Sequence, residues 1–158
     1  MSSNGPYVAV VGAGDASPEQ EGHAEGVGRA LATARAVVVC GGLGGVMAAA
    51  CRGAHEAGGM TVGLLPGSDR AHANPWVTVA IATGMGELRN GLVARAADGV
   101  IAIGGGYGTL SEIALALRLG KPVVGIGTWD IAAPIARFAD ADGAVGRILE
   151  LVTGPAQS

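Results

Sequence analysis

Basic charge, aromatic rings and long unbroken apolar runs are all scarce in this chain of 158 residues. Ten Lys and Arg against 13 Asp and Glu leave a formal net charge of −3. No basic field is present to neutralise the phosphates of a long nucleic acid, which speaks against a duplex-binding role, although one small nucleotide needs no such field. Cysteine appears only at Cys40 and Cys51, in apolar surroundings and without C-x-x-C spacing. That pattern fits neither a disulfide framework nor a zinc site, and reads as two buried small hydrophobes in a reducing compartment. His23, His55 and His72 are dispersed and show no metal-ligand spacing. The longest uncharged apolar stretch, 36–51, is interrupted by four glycines. It falls short of the roughly 20 residues that a spanning helix needs. The polar start, 1–6, has no basic segment followed by an apolar one, so the expectation is a cytoplasmic protein with no membrane partner.

What is present is a core and a great deal of turn material. Hydrophobic residues make up 49% of the chain, ample for the core of one domain of this length, and 29 residues are glycine. The glycines follow no G-X-Y period and fall at turns, which excludes collagen and a disordered linker. One domain is expected over 1–158, with 154–158 as a frayed tail.

Short β-branched runs alternate with alanine-rich helical segments. This is the pattern of a doubly wound parallel sheet in a three-layer α/β/α arrangement. Strands are expected at 7–11, 36–40, 61–65, 77–82, 99–103 and 123–126. Their unbroken hydrophobicity suits burial on both faces. Helices are expected at 18–33, 46–57, 87–97 and 110–119, with one or two more within 131–152. Ser17-Pro18-Glu19-Gln20 carries a capping box for the first helix, and Gly58-Gly59 and Gly120 stand where C-caps belong.

Three strand-to-helix turns hold glycine clusters: Gly12-Ala13-Gly14, Gly41-Gly42-Leu43-Gly44-Gly45, and Gly104-Gly105-Gly106-Tyr107-Gly108 followed by Thr109. In an open parallel sheet such turns share the carboxyl edge, where backbone amides and helix dipoles favour an anion. Gly12, Gly14, Gly42, Gly44, Gly45, Gly105, Gly106, Tyr107, Gly108 and Thr109 are therefore the candidate phosphate and ligand contacts. The first cluster is not a dinucleotide fingerprint, because Ser17 stands where glycine or alanine is needed and no acidic residue ends the next strand. No cluster is followed by the G-K-[ST] of a P-loop.

Two charged residues lie on apolar helix faces near these turns. Arg89 projects within a stripe formed by Leu88, Leu92, Val93 and Ala96, and Glu112 sits beside Leu115, Ala116 and Leu119. A buried guanidinium requires an anionic partner, so a carboxylate, a phosphate or a cleft is implied. Plainer readings stand beside these: Thr109-x-x-Glu112 also spells a capping box, and Arg89 also suits a structural ion pair. Asp15 suits either a ribose contact or a turn, and the polar loop 67–75 either a lid or a connection.

The stretch Gly105-Gly106-Tyr107-Gly108-Thr109-Leu110-Ser111-Glu112 resembles the PGGxGTxxE signature of the LOG ("Lonely guy") family, long mislabelled as lysine decarboxylases. Met85-Gly86-Glu87-Leu88-Arg89-Asn90 is similar to its arginine-bearing helix start, and Gly41-Gly42-Leu43-Gly44-Gly45-Val46-Met47 to its GGGxxGLM turn; the resemblance spans about 7–127. It implies a Rossmann-like homo-oligomer, a homodimer or homotetramer. The implied activity is that of a phosphoribohydrolase, which cleaves the N-glycosidic bond of a nucleoside 5′-monophosphate such as a cytokinin riboside 5′-monophosphate and needs no cofactor. Arg89 and Glu112 then hold the catalytic pair's positions, and Gly105, Gly106, Gly108 and Thr109 hold phosphate.

Gly104 replaces the signature proline and Asn90 the usual lysine, spellings that resemble a shorter branch similar to molybdenum cofactor carrier proteins. That branch implies the alternative of a non-catalytic carrier with bound molybdopterin, a phosphate-bearing pterin, in place of a nucleotide. Tyr107, Trp129 and Phe138 are the candidates for stacking on a base or pterin, each otherwise expected in the core. Nothing in the sequence favours a third class, a nucleotide-sensing module.

Overall fold

The computed structural model describes residues 5–154. Seven strands form one parallel sheet in the order β4-β3-β2-β1-β5-β6-β7. In chain order they are β1 (Tyr7–Gly12), β2 (Val37–Cys40), β3 (Thr61–Leu65), β4 (Val79–Ala82), β5 (Gly99–Ile103), β6 (Val123–Ile126) and β7 (Ile135–Arg137). Five helices cover the sheet: α1 (Pro18–Thr33), α2 (Val46–Glu56), α3 (Arg89–Ala96), α4 (Tyr107–Arg118) and α5 (Ala141–Thr153).

The period-two geometry of a strand divides the apolar residues between two cores. Val8, Val10, Val38, Ile101 and Ile103 face α1, α2 and α5, where they meet Val27, Leu31, Val46 and Ile148. Ala9, Val11, Val39, Val100 and Ala102 face α3 and α4, where they meet Val93, Ala94, Ile113 and Ala116. β2, β5 and β6 are buried on both faces, which is why they read as unbroken apolar runs, whereas the edge strand β4 departs from the expectation and leaves Val79 and Ile81 exposed. Cys40 and Cys51 lie buried with their sulfurs 3.5 Å apart, packed with Met47. The expected capping box opens α1: Gln20 N donates to Ser17 Oγ at 3.1 Å and Ser17 N to Gln20 Oε1 at 3.0 Å.

Four expectations need correction. The segment 131–152 is not all helix, because Ile135–Arg137 adds a seventh strand beside β6 and α5 starts only where Asp140 Oδ1 accepts from Gly143 N at 2.8 Å. The helix expected from residue 110 begins three residues earlier, at Tyr107, and the one expected from 87 is a short 3-10 turn, Gly86–Leu88, leading into α3. Of the expected tail, Gly154 is the C-cap of α5, its N–H donating to Glu150 O, and 155–158 lie outside the described residues.

α1 and α2 touch almost backbone to backbone. A Cβ on Gly28 would overlap the carbonyl of Ala50, and one on Gly53 the carbonyl of Glu25. Overpacking of this kind costs about 1–3 kcal/mol. Gly28→Ala is therefore expected to lower the unfolding free energy in urea by that amount. Gly22→Ala, exposed on the same helix with nothing within 4 Å of the new carbon, is expected to leave it unchanged or raise it by up to about 1 kcal/mol. Equal effects from both would refute the close-approach account.

Candidate functional site

The chain winds outward from β1 through β2 and β3 to β4, then returns to place β5 on the other side of β1. The connection after β1 leads to α1 on one face of the sheet and that after β5 to α4 on the other, so the carboxyl ends of the two strands part. A cleft of about 510 Å³ lies there. Gly12, Ala13 and Gly14 form one wall and Leu43 and Met47 another. Pro66, Gly86, Glu87, Arg89 and Asn90 close a third side, and Gly106, Gly108, Thr109 and Glu112 line the start of α4.

The helix ends facing this cleft are open. α1 and α5 are capped by the side chains of Ser17 and Asp140, whereas α2 and α4 have glycine N-caps, Gly45 and Gly106, and no side-chain cap. In α4 the first return bond runs from Leu110 N to Gly106 O at 3.1 Å, which leaves the amides of Tyr107, Gly108 and Thr109 ahead of it unshared. Nothing lies within 4 Å of where a Cβ on Gly106 or Gly14 would point, and neither has a positive φ. The fold therefore does not require glycine there, and the missing Cβ leaves room for a ligand to approach the backbone closely. Gly105 differs: at φ +107, with Thr109 Oγ1 occupying its Cβ direction, it admits no side chain.

Arg89 and Glu112 confront the cleft from α3 and α4. Arg89 is 9% exposed and Glu112 7%. Arg89 reaches its place through the i, i+4 face that it shares with buried Val93, while Leu88, expected on the same stripe, is 76% exposed and Ala96 is exposed as well. Arg89 Nη1 donates to Asn90 Oδ1 at 2.6 Å, and Arg89 Nε is buried with no partner among the described residues. An unmet buried donor costs about 1–3 kcal/mol, so this guanidinium is held at a penalty that the fold alone does not recover. Burial pushes the Glu112 carboxyl up to about 7, against the opposing pull of the Arg89 guanidinium. The arrangement offers amide donors, one cation and one acid near neutrality around a single cavity, which suits an anionic ligand and proton exchange with it.

Not every candidate residue reaches the cleft. Gly12, Gly14, Gly106, Gly108, Thr109, Arg89 and Glu112 line it; Gly42, Gly44, Gly45, Gly105 and Tyr107 do not. Gly42 packs on Leu65, and Gly45 on the Ala13 and Gly14 carbonyls, with Val46 N donating to Ala13 O at 3.1 Å. The capping-box reading of Glu112 fails, because α4 begins at Tyr107 and places Thr109 and Glu112 inside the helix. Tyr107 is not core: it is 83% exposed, its ring 5.8 Å from that of Trp129, whose Nε1 donates to Gly106 O at 3.0 Å. Phe138 does pack against the α1 and α5 core. Asp15 is exposed and outside the cleft lining. The loop 67–75 is tied to the second glycine turn by Asn74, whose N donates to Gly42 O and Nδ2 to Leu43 O, both at 2.9 Å. Sequence reasoning missed Ala13, Leu43, Met47, Pro66, Gly86, Glu87 and Asn90; the start of α3 beside Arg89 was the signal for the last two.

The profile of the SLOG cluster4 family matches residues 5–151. The chain belongs to this family. A SLOG cluster4 assignment agrees with the expected place in the LOG superfamily, on the branch near molybdenum cofactor carriers. An uncharacterized protein of Archaeoglobus fulgidus is 42% identical over 119 residues, 75% of this chain and 78% of that one. The molybdenum cofactor binding protein of the phototrophic bacterium Rippkaea orientalis has a similar structure, with TM-score 0.89 and 32% identity over 94% of this chain and 98% of that one. So does the Moco carrier protein of Chlamydomonas reinhardtii, with TM-score 0.87 and 35% identity over 96% and 99%. DNA processing protein A of Streptococcus pneumoniae, at 20% identity and TM-score 0.71 over 90% of this chain and 61% of that one, shares the fold alone. No helix among the described residues is long and apolar enough to cross a membrane.

The raised Glu112 value has a signed consequence for stability. Between the ordinary 4.5 and about 7 the folded chain keeps a proton that the unfolded chain has released. Stability therefore falls as pH rises through that window and levels off above it, by up to about 3 kcal/mol from this group. Glu112→Gln is expected to be more stable than wild type at pH 8, with the gap closing toward pH 4.5, in urea unfolding at both pH values. A gap that does not change with pH would contradict the buried acid.

Proposed function

We propose that this SLOG cluster4 protein binds a phosphate-bearing small molecule of the molybdenum cofactor class and holds it without turnover, as a carrier. The observation that carries this reading is the uncapped start of α4, whose free amides and Cβ-free Gly106 open on the same cleft as Arg89. The phosphate lies on the amides of Gly108 and Thr109, which line the cleft, the guanidinium adds one positive charge, and the remainder of the ligand extends toward Leu43, Met47 and Pro66. The molybdenum cofactor binding and carrier proteins at 32–35% identity support the choice of ligand.

One observation favours a second reading. A carboxyl near 7 on the cleft wall suits proton transfer to a leaving base, so hydrolysis of a nucleoside 5′-monophosphate is the competing activity. The chain acts in the cytoplasm, away from nucleic acid and membrane. Exposed Val79, Ile81, Met85 and Leu88 at the β4 edge and the start of α3 favour a homodimer or homotetramer.

The test is denaturing release of ligand from the purified chain, read by mass spectrometry, beside turnover of a panel of nucleoside 5′-monophosphates. The carrier reading expects a near-stoichiometric phosphorylated pterin, its loss in Gly106→Val at unchanged melting temperature, and no turnover. A ligand-free extract from protein that also fails to protect added cofactor from oxidation would refute it. Turnover that drops by roughly 10²–10⁴-fold in Glu112→Gln would establish the hydrolase instead.

A further inference from the structure

Asn90 stands where the resembling family has lysine, and the phosphate reading makes no use of it. Neighbouring residues on a helix point about 100° apart and do not ordinarily meet. Here Arg89 Nη1 nevertheless donates to Asn90 Oδ1 at 2.6 Å, so the guanidinium is held back along the start of α3. On its other side the guanidinium lies against Gly41, where a Cβ would stand 2.7 Å from Nη1 and 2.8 Å from Cζ and Nη2. The amide end of Asn90 points to α4: Nδ2 is 3.4 Å from Ser111 Oγ, and Ser111 Oγ donates to Gly108 O at 2.6 Å. One short side chain thus joins the cation of α3 to the first turn of α4.

The chemistry of that position selects an amide. Aspartate there would pair with the guanidinium and cancel its charge. Lysine has no acceptor for Nη1 and would bring a second, repelling cation. An amide fixes Nη1 through a neutral oxygen and keeps a donor for the α4 side.

We propose that Asn90 is a positioning residue: its carbonyl oxygen holds the Arg89 guanidinium between Gly41 and the cleft with its charge uncompensated, and thereby sets how strongly the site attracts an anion. The anion part rests on the phosphate reading; the effect on Glu112 does not. The charged groups lining the cleft with Glu112 are Arg89 from α3 and Glu87 from the turn before it.

Two readouts on the whole chain test the proposal. The first is the Glu112 titration in ligand-free protein, followed by carbon NMR of the carboxyl. Asn90→Ala adds no charge, so a guanidinium released from its acceptor is expected to shift the Glu112 pKa by about half a unit or more. Asn90→Ser serves in its place if the alanine variant does not fold. The second readout is affinity for inorganic phosphate, followed by phosphorus NMR. It is expected to fall roughly tenfold in the isosteric Asn90→Asp, and less in Asn90→Ala. In an Arg89→Lys background, which lacks the fork, Asn90→Ala is expected to change neither readout, whereas a merely structural role would add its effect there as well. An unmoved Glu112 pKa in Asn90→Ala, or additive effects with Arg89→Lys, overturns the proposal. A shifted pKa with no phosphate binding by any of the proteins, wild type included, upholds the positioning role and overturns the phosphate reading instead.

Discussion

The reversal of winding at β1 is the constraint on which the rest of this structure depends. β1 pairs with β2 on one side and β5 on the other, and the connections that follow β1 and β5 leave for opposite faces of the sheet. Neither connection can fill the gap left by the other, so a cleft at the carboxyl edge follows from topology rather than from any one side chain. The same topology demands strands buried on both faces, and hence the apolar content that left so few charges in the chain. It also aims the amino end of α4 into the gap, where the helix cannot share its first amides with a neighbouring strand. The crevice and the helix amides that open on it thus have one origin.

Glycine serves two separate ends in this frame. Gly28 and Gly53 bring α1 and α2 into backbone contact, and Gly12, Gly42 and Gly45 pack against atoms that a side chain would displace. These residues make the fold possible and would be needed in an empty scaffold. Gly14 and Gly106 face open space, and there a methyl group would meet no atom of the described residues within 4 Å. Glycines that the fold does not need, gathered around unshared amides and a buried cation, mark a surface shaped for something other than the chain itself.

Much of this could be read from the residues because the sheet depends on local rules. Unbroken valine and isoleucine runs located six strands, and Ser17 with Gln20 located the start of α1. β7 escaped because its three residues, Ile135, Ala136 and Arg137, are too few to show alternation and draw their stability from pairing with β6, a tertiary contact. α4 was read as starting too late because Gly108 and Tyr107 are poor helix residues in isolation; they are helical because the turn from β5 places them there. The site was legible as far as its charges: Arg89 and Glu112 stood out as ionisable groups on apolar faces. The wheel that placed Arg89 correctly also placed Leu88 and Ala96 inward, since a helical wheel cannot know that the 3-10 turn Gly86–Leu88 rotates Leu88 out to solvent. Pro66, Met47 and Leu43 come from three distant segments, and no sequence pattern joins them.

The opposition of Arg89 and Glu112 bears on what the cleft does with a ligand. An ion pair closed between them would stabilise the carboxylate, yet burial outweighs the guanidinium and holds Glu112 near 7. A bound anion adds negative charge, which pushes the carboxyl further toward its protonated form and turns it from a repelling charge into a hydrogen-bond donor. On the proposed reading, anion binding would therefore be coupled to proton uptake, and the acid that looks unfavourable in the free protein would become compatible with phosphate in the filled site. Glycosidic cleavage asks for more than this, since a second group must activate water or attack the sugar while the first protonates the base. The other carboxylate lining the cleft is that of Glu87, exposed on the 3-10 turn and without a hydrogen-bond partner among the described residues to orient it. One acid that neutralises itself on binding, with no oriented base opposite, is an arrangement better suited to holding a phosphorylated molecule than to cutting it.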